Sequence, residues 1–506
     1  MTDAVASLFD TVATSYGLNL IGIIPSVFTV FFSTRIFAPD VMGQLSLIVV
    51  VAAFIQTVGF QWLSSALIRF GREEYIQTGG VRQTFQVRMI LLAVILLASL
   101  LGFGGLYLLA RELLLVRIGL SGRLLWTVPL FLILGIVAGE LTGYLRVFDK
   151  YVHLAAASLA GQLFQVVAMF LLYRYLGVAG IDWLIVLSVG GAASQILYMM
   201  LRLKWKNFRP GASTPELGSV LGSTVSYSRP AIATFLLNCL YKPLEYYLIL
   251  QFASIAAIGL YSTANSMNGV FVQFVSLFPN LMFPIMLGFK TAGKKEVVKR
   301  YYQRVTPQLT LLFALCVSVA LICLPPVIQV LLSERYHPAI GAFLILAYGE
   351  IPHMAYALES IYSAMYDKLI QTFWATVVQY IFQFAAYFYL IPRIGIEGAA
   401  WGWVAAYLAS AVVLTYYISE EFGVSLRPYL AIALSSLLGL GALFVARSGI
   451  HLILQLVILT VIVTTALVAV KAAKIFERQD ADLLMTTGIP RLLRTPLRFA
   501  YRILGA

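Results

Sequence analysis

About fourteen stretches of mostly apolar residues follow one another along this chain, each long enough to cross a bilayer as a helix. They lie near 12–34, 42–68, 87–110, 124–146, 153–175 and 181–203, then near 229–253, 258–288, 306–332, 339–363, 369–391 and 396–418. A last pair lies near 427–446 and 449–472. In hydrocarbon every backbone N–H and C=O needs an internal partner, so spans of this length are read as helices. The expected fold is therefore an all-α membrane protein. Composition agrees: 61% of the 506 residues are hydrophobic and 11% are charged, against about 25% charged in soluble domains. No basic n-region with a small-residue cleavage site opens the sequence, so the first apolar helix is expected to act as its own targeting signal. Cys239, Cys316 and Cys323 fall within spans, at spacings that fit neither a metal site nor a disulfide framework.

Most of the 35 lysines and arginines fall on alternate sides of these spans. With the N-terminus inside, the inner segments hold Arg69, Arg72, Arg82 and Arg88, then Arg146 and Lys150, then Arg202 to Arg209, and then the run from Lys290 to Arg304. This asymmetry puts both termini in the cytoplasm, and the net charge of +13 needs no nucleic-acid partner. Arg111 to Arg123 runs against the bias. It reads as an outer interfacial helix, or as a sign that the third and fourth spans are displaced.

The chain repeats itself. Phe148-Asp149-Lys150 opens a stretch that ends in Leu176-Gly177-Val178-Ala179-Gly180. Tyr366-Asp367-Lys368 opens one that ends in Ile394-Gly395-Ile396-Glu397-Gly398. Upstream, Gly43-Gln44-Leu45-Ser46 matches Gly259-Leu260-Tyr261-Ser262. Each copy holds six spans, an even number, so the copies share orientation in the membrane. The expected organisation is a six-helix lobe over 1–210, a second over 211–422, an added helix pair over 423–474 and a basic tail over 475–506. In that tail Arg491, Arg494, Arg498 and Arg502 recur at helical spacing; the segment is either a helix whose basic face suits anionic membrane lipid or a frayed tail.

No P-loop, HExxH or Ser/His/Asp set is present, so the reading is a transporter, not an enzyme. The polar residues inside spans are then the informative ones. A lysine at mid-span costs at least ~2.5 kcal/mol and needs a partner or a task. Lys242 and Glu245 stand three residues apart with Pro243 between them, where the proline is expected to kink the helix. Lys242 either binds an anionic group in a cavity or is neutralised by Glu245. Asn238 with Pro243 echoes Asn19 with Pro25 in the first span. Arg229, before Pro230, reads as a snorkelling anchor or a phosphate contact at an inner gate. Ser262, Asn265, Gly269, Gln273, Ser276 and Asn280 make one polar face, which packs on protein or lines water. Glu350 and His353 are also three apart. They either exchange protons as a coupling pair or form a fixed hydrogen bond. Glu140 lies in the corresponding region of the first copy, and Glu359 follows further along.

Several segments also resemble a known family. TRIFAPDVMGQLSLI is similar to the R-x-L-G-P-E-x-F-G-x-Y segment of polysaccharide-transport (Wzx-type) flippases. ALIRFGREE, the Arg229-Pro230 pair and IGLYSTA resemble their later signatures. These flippases belong to the multidrug/oligosaccharidyl-lipid/polysaccharide exporter superfamily. The resemblance implies two six-helix lobes around a V-shaped central cavity in the bacterial inner membrane. It implies flipping of a polyprenyl-pyrophosphate-linked oligosaccharide by alternating access, with H+ or Na+ coupling open. A polysaccharide polymerase and chain-length proteins are the implied partners. Lys242, Arg229, Asn265, Gln273 and Asn238 then become substrate contacts, and Glu350, His353, Glu140 and Glu245 coupling groups. Unlike lipid II flippases, the first span holds only Arg35. A cation-coupled multidrug exporter and a membrane-embedded glycan polymerase or ligase are the alternatives.

Overall fold

A computed structural model describes residues 14–472, apart from 16, 113–126, 176, 178–179, 204, 209–216, 292 and 367. Among the described residues there is no strand, and fourteen long helices follow in the order that hydropathy sets. They are α1 (Gly17–Ile36), α2 (39–78), α3 (Arg82–Glu112), α4 (Thr127–Val147), α5 (Tyr151–Tyr175), α6 (Ile181–Arg202) and α7 (Leu217–Phe252). After them come α8 (Ile255–Thr291), α9 (Lys295–Leu331), α10 (Ala339–Met365), α11 (Leu369–Ile394), α12 (Ile396–Phe422), α13 (Leu426–Arg447) and α14 (Leu452–Ala472). Among the described residues ten helices are long and apolar enough to cross a membrane by length and composition alone. In α7 and α10 the polar side chains within the span lower the hydropathy. α2 and α9 each contain one π-helical turn, at Thr57–Gln61 and Tyr301–Val305.

Contacts gather the chain into two units, Met1–Ser262 and Thr263–Ala506. In the first, Phe32, Ile36 and Phe37 at the end of α1 pack on Met169 and Leu172 of α5 and Leu184 and Leu187 of α6. A second cluster joins α2, α3, α4 and α6 through Ile48, Leu92, Leu132 and Ile185. A third joins α2, α4, α5 and α6 through Leu67, Leu145, Ala157 and Met199. The starts of α2 and α8 meet through the two glycines of the upstream repeat. A Cβ on Gly43 would overlap the Ile255 carbonyl, and one on Gly259 would overlap the Pro39 carbonyl. Backbones approach this closely only where neither partner carries a side chain.

In the second unit α10 is buried along almost its whole length, between α9, α12 and α13. Hydroxyls inside the helices are satisfied locally: Thr310, Ser318, Thr415 and Ser435 each bond the carbonyl four residues before them.

The repeat is written in the backbone as well. At the α4–α5 turn the Phe148 N–H bonds Tyr144 O at 3.1 Å and the Lys150 N–H bonds Leu145 O at 2.8 Å. At the α10–α11 turn Tyr366 bonds Tyr362 at 3.1 Å and Lys368 bonds Ser363 at 2.9 Å. Both copies end on a left-handed glycine, Gly177 at φ 72° and Gly395 at φ 59°, a conformation that costs glycine alone little. Equal spacing with equal hydrogen bonds is what a duplicated segment produces.

Candidate functional site

Lys242 sits in an aromatic enclosure on α7. The helix stays α-helical through Pro230 and Pro243. One turn separates Lys242 from Glu245, so their side chains meet, Nζ to Oε2 at 2.8 Å. The Tyr261 hydroxyl of α8 donates to the other oxygen, Oε1, at 2.7 Å. The rings of Tyr241, Tyr246 and Tyr261 lie 5.5, 5.8 and 5.5 Å from the ammonium, within cation–π range. Glu245 is fully buried, while the Lys242 side chain remains 24% exposed. Glu245 takes one of three N–H donors. The ammonium is thus held in place and its charge offset, with donors left for a ligand.

A second centre lies in the other unit, on α10. Glu350 is fully buried, and two N–H donors and an imidazole converge on it. Asn268 Nδ2 of α8 reaches Oε1 at 2.7 Å, Trp403 Nε1 of α12 reaches the same oxygen at 3.2 Å, and His353 Nδ1 lies 2.7 Å from Oε2. Both carboxyl oxygens are therefore satisfied. Tyr407 stacks against the His353 ring at 4.0 Å between centroids, and Trp403 meets it edge-on at 5.9 Å. The imidazole side chain is 15% exposed, so the pair is enclosed but not sealed.

The remaining sequence candidates divide. Asn238 is half-buried on α7, one turn before Lys242. Asn265 is half-buried and Gln273 is exposed on α8, and the Ser262 and Ser276 hydroxyls bond their own helix. Glu140 is held by Arg88 of α3, through Nε to Oε2 at 3.0 Å and through a second, shorter contact. Arg88 was grouped with loop cations on sequence grounds. It lies inside α3 with its side chain 2% exposed, because a loop tally cannot see the carboxylate that draws it in. Arg229 belongs to α7, but its side chain lies outside the described residues, as do the basic tail and residues 113–126.

Sequence reading missed Tyr261, Asn268 and Trp403 as partners. One signal was available: Tyr261, Asn268, Val275 and Met282 recur every seven residues on α8, and all four are buried. An asparagine on such an apolar seam needs a buried partner.

The architecture is similar to that of several solved membrane proteins. The lipid II flippase MurJ in its inward closed conformation aligns with a TM-score of 0.63 at 13% identity, over 89% of this chain and 96% of that one. An inward-facing multidrug resistance MATE family transporter of the MOP superfamily aligns at 0.55 and 14%, over 81% and 94%. A Vibrio cholerae MATE transporter aligns at 0.54 and 13%, over 84% and 99%. At such identities the likeness is one of fold. No curated protein matches the sequence. The family model described as polysaccharide biosynthesis protein matches residues 33–341, more than half of the chain. The chain therefore belongs to that polysaccharide biosynthesis family, and its multi-helix fold is like that of the solved structures above.

Proposed function

We propose that this chain flips a polyprenyl-pyrophosphate-linked oligosaccharide repeat unit from the cytoplasmic to the periplasmic leaflet, by alternating access. The product feeds exopolysaccharide, capsule or O-antigen assembly. The observation that carries the reading is Lys242: a half-enclosed ammonium with unused donors, within the membrane, in a chain of a polysaccharide biosynthesis family. Pyrophosphate needs such a cation, and tyrosine hydroxyls beside it suit sugar. Glu350 and His353 serve as the coupling pair, for H+ or Na+. Both termini lie in the cytoplasm of an inner-membrane protein. Reporter fusions that place the Lys290–Arg304 segment outside the cell would sink that orientation.

The central experiment is Lys242→Ala in a strain that depends on this chain for surface polysaccharide. A charge-assisted contact to phosphate is worth ~1.5–3 kcal/mol, roughly ten- to a hundredfold in binding. Glu245 also loses its counter-charge, so accumulation is expected to fall as well, and export per amount of inserted protein is expected to fall by that order. Unchanged export would reduce Lys242 to a structural cation. The acid–imidazole pair also fits a cation-coupled multidrug exporter. Increased drug susceptibility on deletion, with normal polysaccharide, favours that second reading.

A further inference from the structure

Glu359, nine residues after Glu350 on α10, plays no part in either centre. It is 1% exposed. Among the described residues one contact reaches its carboxyl: Thr415 Oγ1 of α12 lies 2.5 Å from Oε1, and Oε2 has no hydrogen-bond partner. The Thr415 hydroxyl also lies 2.8 Å from the Ala411 carbonyl. A hydroxyl has one proton and can serve one of these two oxygens. If that proton goes to Ala411, the short contact to Glu359 requires a proton on the carboxyl itself.

The titratable groups facing Glu359 are Tyr302 of α9, Tyr362 of α10 and Tyr429 of α13. Each is engaged elsewhere. Tyr302 donates to the Thr415 carbonyl at 3.1 Å, Tyr362 shares a 2.9 Å bond with Thr306, and Tyr429 bonds Ser419. No cation acts on Glu359 among the described residues. An ionised carboxylate here would be buried with one neutral donor and no counter-charge, and such groups take up a proton instead.

We propose that Glu359 is a proton-binding site, carried as a neutral acid that donates to Thr415 Oγ1, which in turn donates to the Ala411 carbonyl. Oε2 is then the carbonyl oxygen of the acid, which tolerates isolation better than a charged oxygen. Releasing the proton leaves a bare charge that only water can solvate. Proton loss is thus linked to parting of α10 and α12 at this end of the second unit. The site stands independently of the substrate reading above, because its test involves no transport.

The test is infrared spectroscopy on the purified full-length protein at neutral pH, wild type against Glu359→Gln. The glutamine keeps the shape and a donor toward Thr415. The wild-type spectrum is expected to contain the C=O stretch of a buried neutral carboxylic acid that Glu359→Gln lacks. Loss of a carboxylate stretch in its place overturns the proposal. A second measurement follows the linkage. A folded state that holds a proton the unfolded chain releases loses stability as pH rises. The wild-type melting temperature is expected to fall by about a degree per unit between mildly acidic and mildly alkaline pH. In Glu359→Gln that part of the slope disappears. Parallel slopes in the two proteins count against the proposal. Should Glu359→Gln fail to accumulate, Thr415→Val gives the second route, since losing the acceptor shifts the acid band without removing it; an unshifted band also counts against the site.

Discussion

The end of α4 and the end of α10 are copies of one another, and each holds a buried carboxyl beside a buried tyrosine. In the first copy Glu140 stands next to Tyr144, and in the second Glu359 stands next to Tyr362. The turns that follow share their hydrogen bonds. The charges are handled in opposite ways. Glu140 is gripped by the Arg88 guanidinium through two contacts. Among the described residues Glu359 has only the Thr415 hydroxyl. The two turns share their backbone hydrogen bonds, while the two carboxyls stand one position out of register with each other, and the state of each depends on which side chain the neighbouring helix supplies.

The largest test breaks the first member of that comparison. Arg88→Ala leaves Glu140 buried without its counter-charge, and removing one partner of a buried pair costs about 3–5 kcal/mol. Accumulation of folded protein is expected to drop sharply, as read by size-exclusion chromatography in detergent. The double change Arg88→Met with Glu140→Leu is expected to recover it, since an apolar pair of similar volume is tolerated. If Arg88→Ala accumulated normally, Glu140 would not depend on Arg88 for a counter-charge, and the contrast between the two helix ends would collapse.

A smaller effect tests the duplication itself. Gly43 and Gly259 occupy matching positions and press on each other's helix starts. Alanine at either site drives a methyl group into backbone, which cannot yield as a flexible side chain can. Overpacking of this kind costs about 1–3 kcal/mol. The two single variants are expected to lower the melting temperature by similar amounts, and the double variant by less than their sum because they share one contact. A lowered melting temperature for one and none for the other would mean that the crossing is not a symmetric feature.

The helices and their order were legible because each span is set by local hydropathy alone. The repeat was legible because a left-handed glycine after a helix leaves a fixed mark, as at Gly177 and Gly395. Lys242 with Glu245 and Glu350 with His353 were legible for a related reason: a one-turn spacing brings two side chains of one helix together. What stayed hidden is contact between helices. Asn268 and Glu350 are 82 residues apart, and Arg88 and Glu140 are 52 apart. No spacing rule links such pairs, since helix packing decides them. The polar stripe on α8 misled in the same way. Asn265 and Gln273 stood out because they share a face with serines, while the asparagine that bonds a carboxylate is Asn268, on the apolar seam beside it.

The smallest effect sharpens the contrast within one helix. Glu350 and Glu359 both lie buried on α10, but among the described residues three polar side chains meet the former and one meets the latter. Asn268→Ala removes one donor and leaves Trp403 and His353 in place. A hydrogen bond to a charged group is worth about 1.5–3 kcal/mol, and the two remaining donors compensate in part. Folding is therefore expected to survive, with a modest drop in melting temperature. The informative readout is infrared. With one hydrogen bond fewer at Oε1, the carboxyl bands assigned to Glu350 by difference against Glu350→Gln are expected to shift at fixed pH. Asn268→Asp is expected to shift them further, because a carboxyl then stands where an amide donor stood. If neither variant alters those bands, the number of hydrogen bonds does not distinguish these carboxyls, and the contrast between Glu350 and Glu359 has no physical basis.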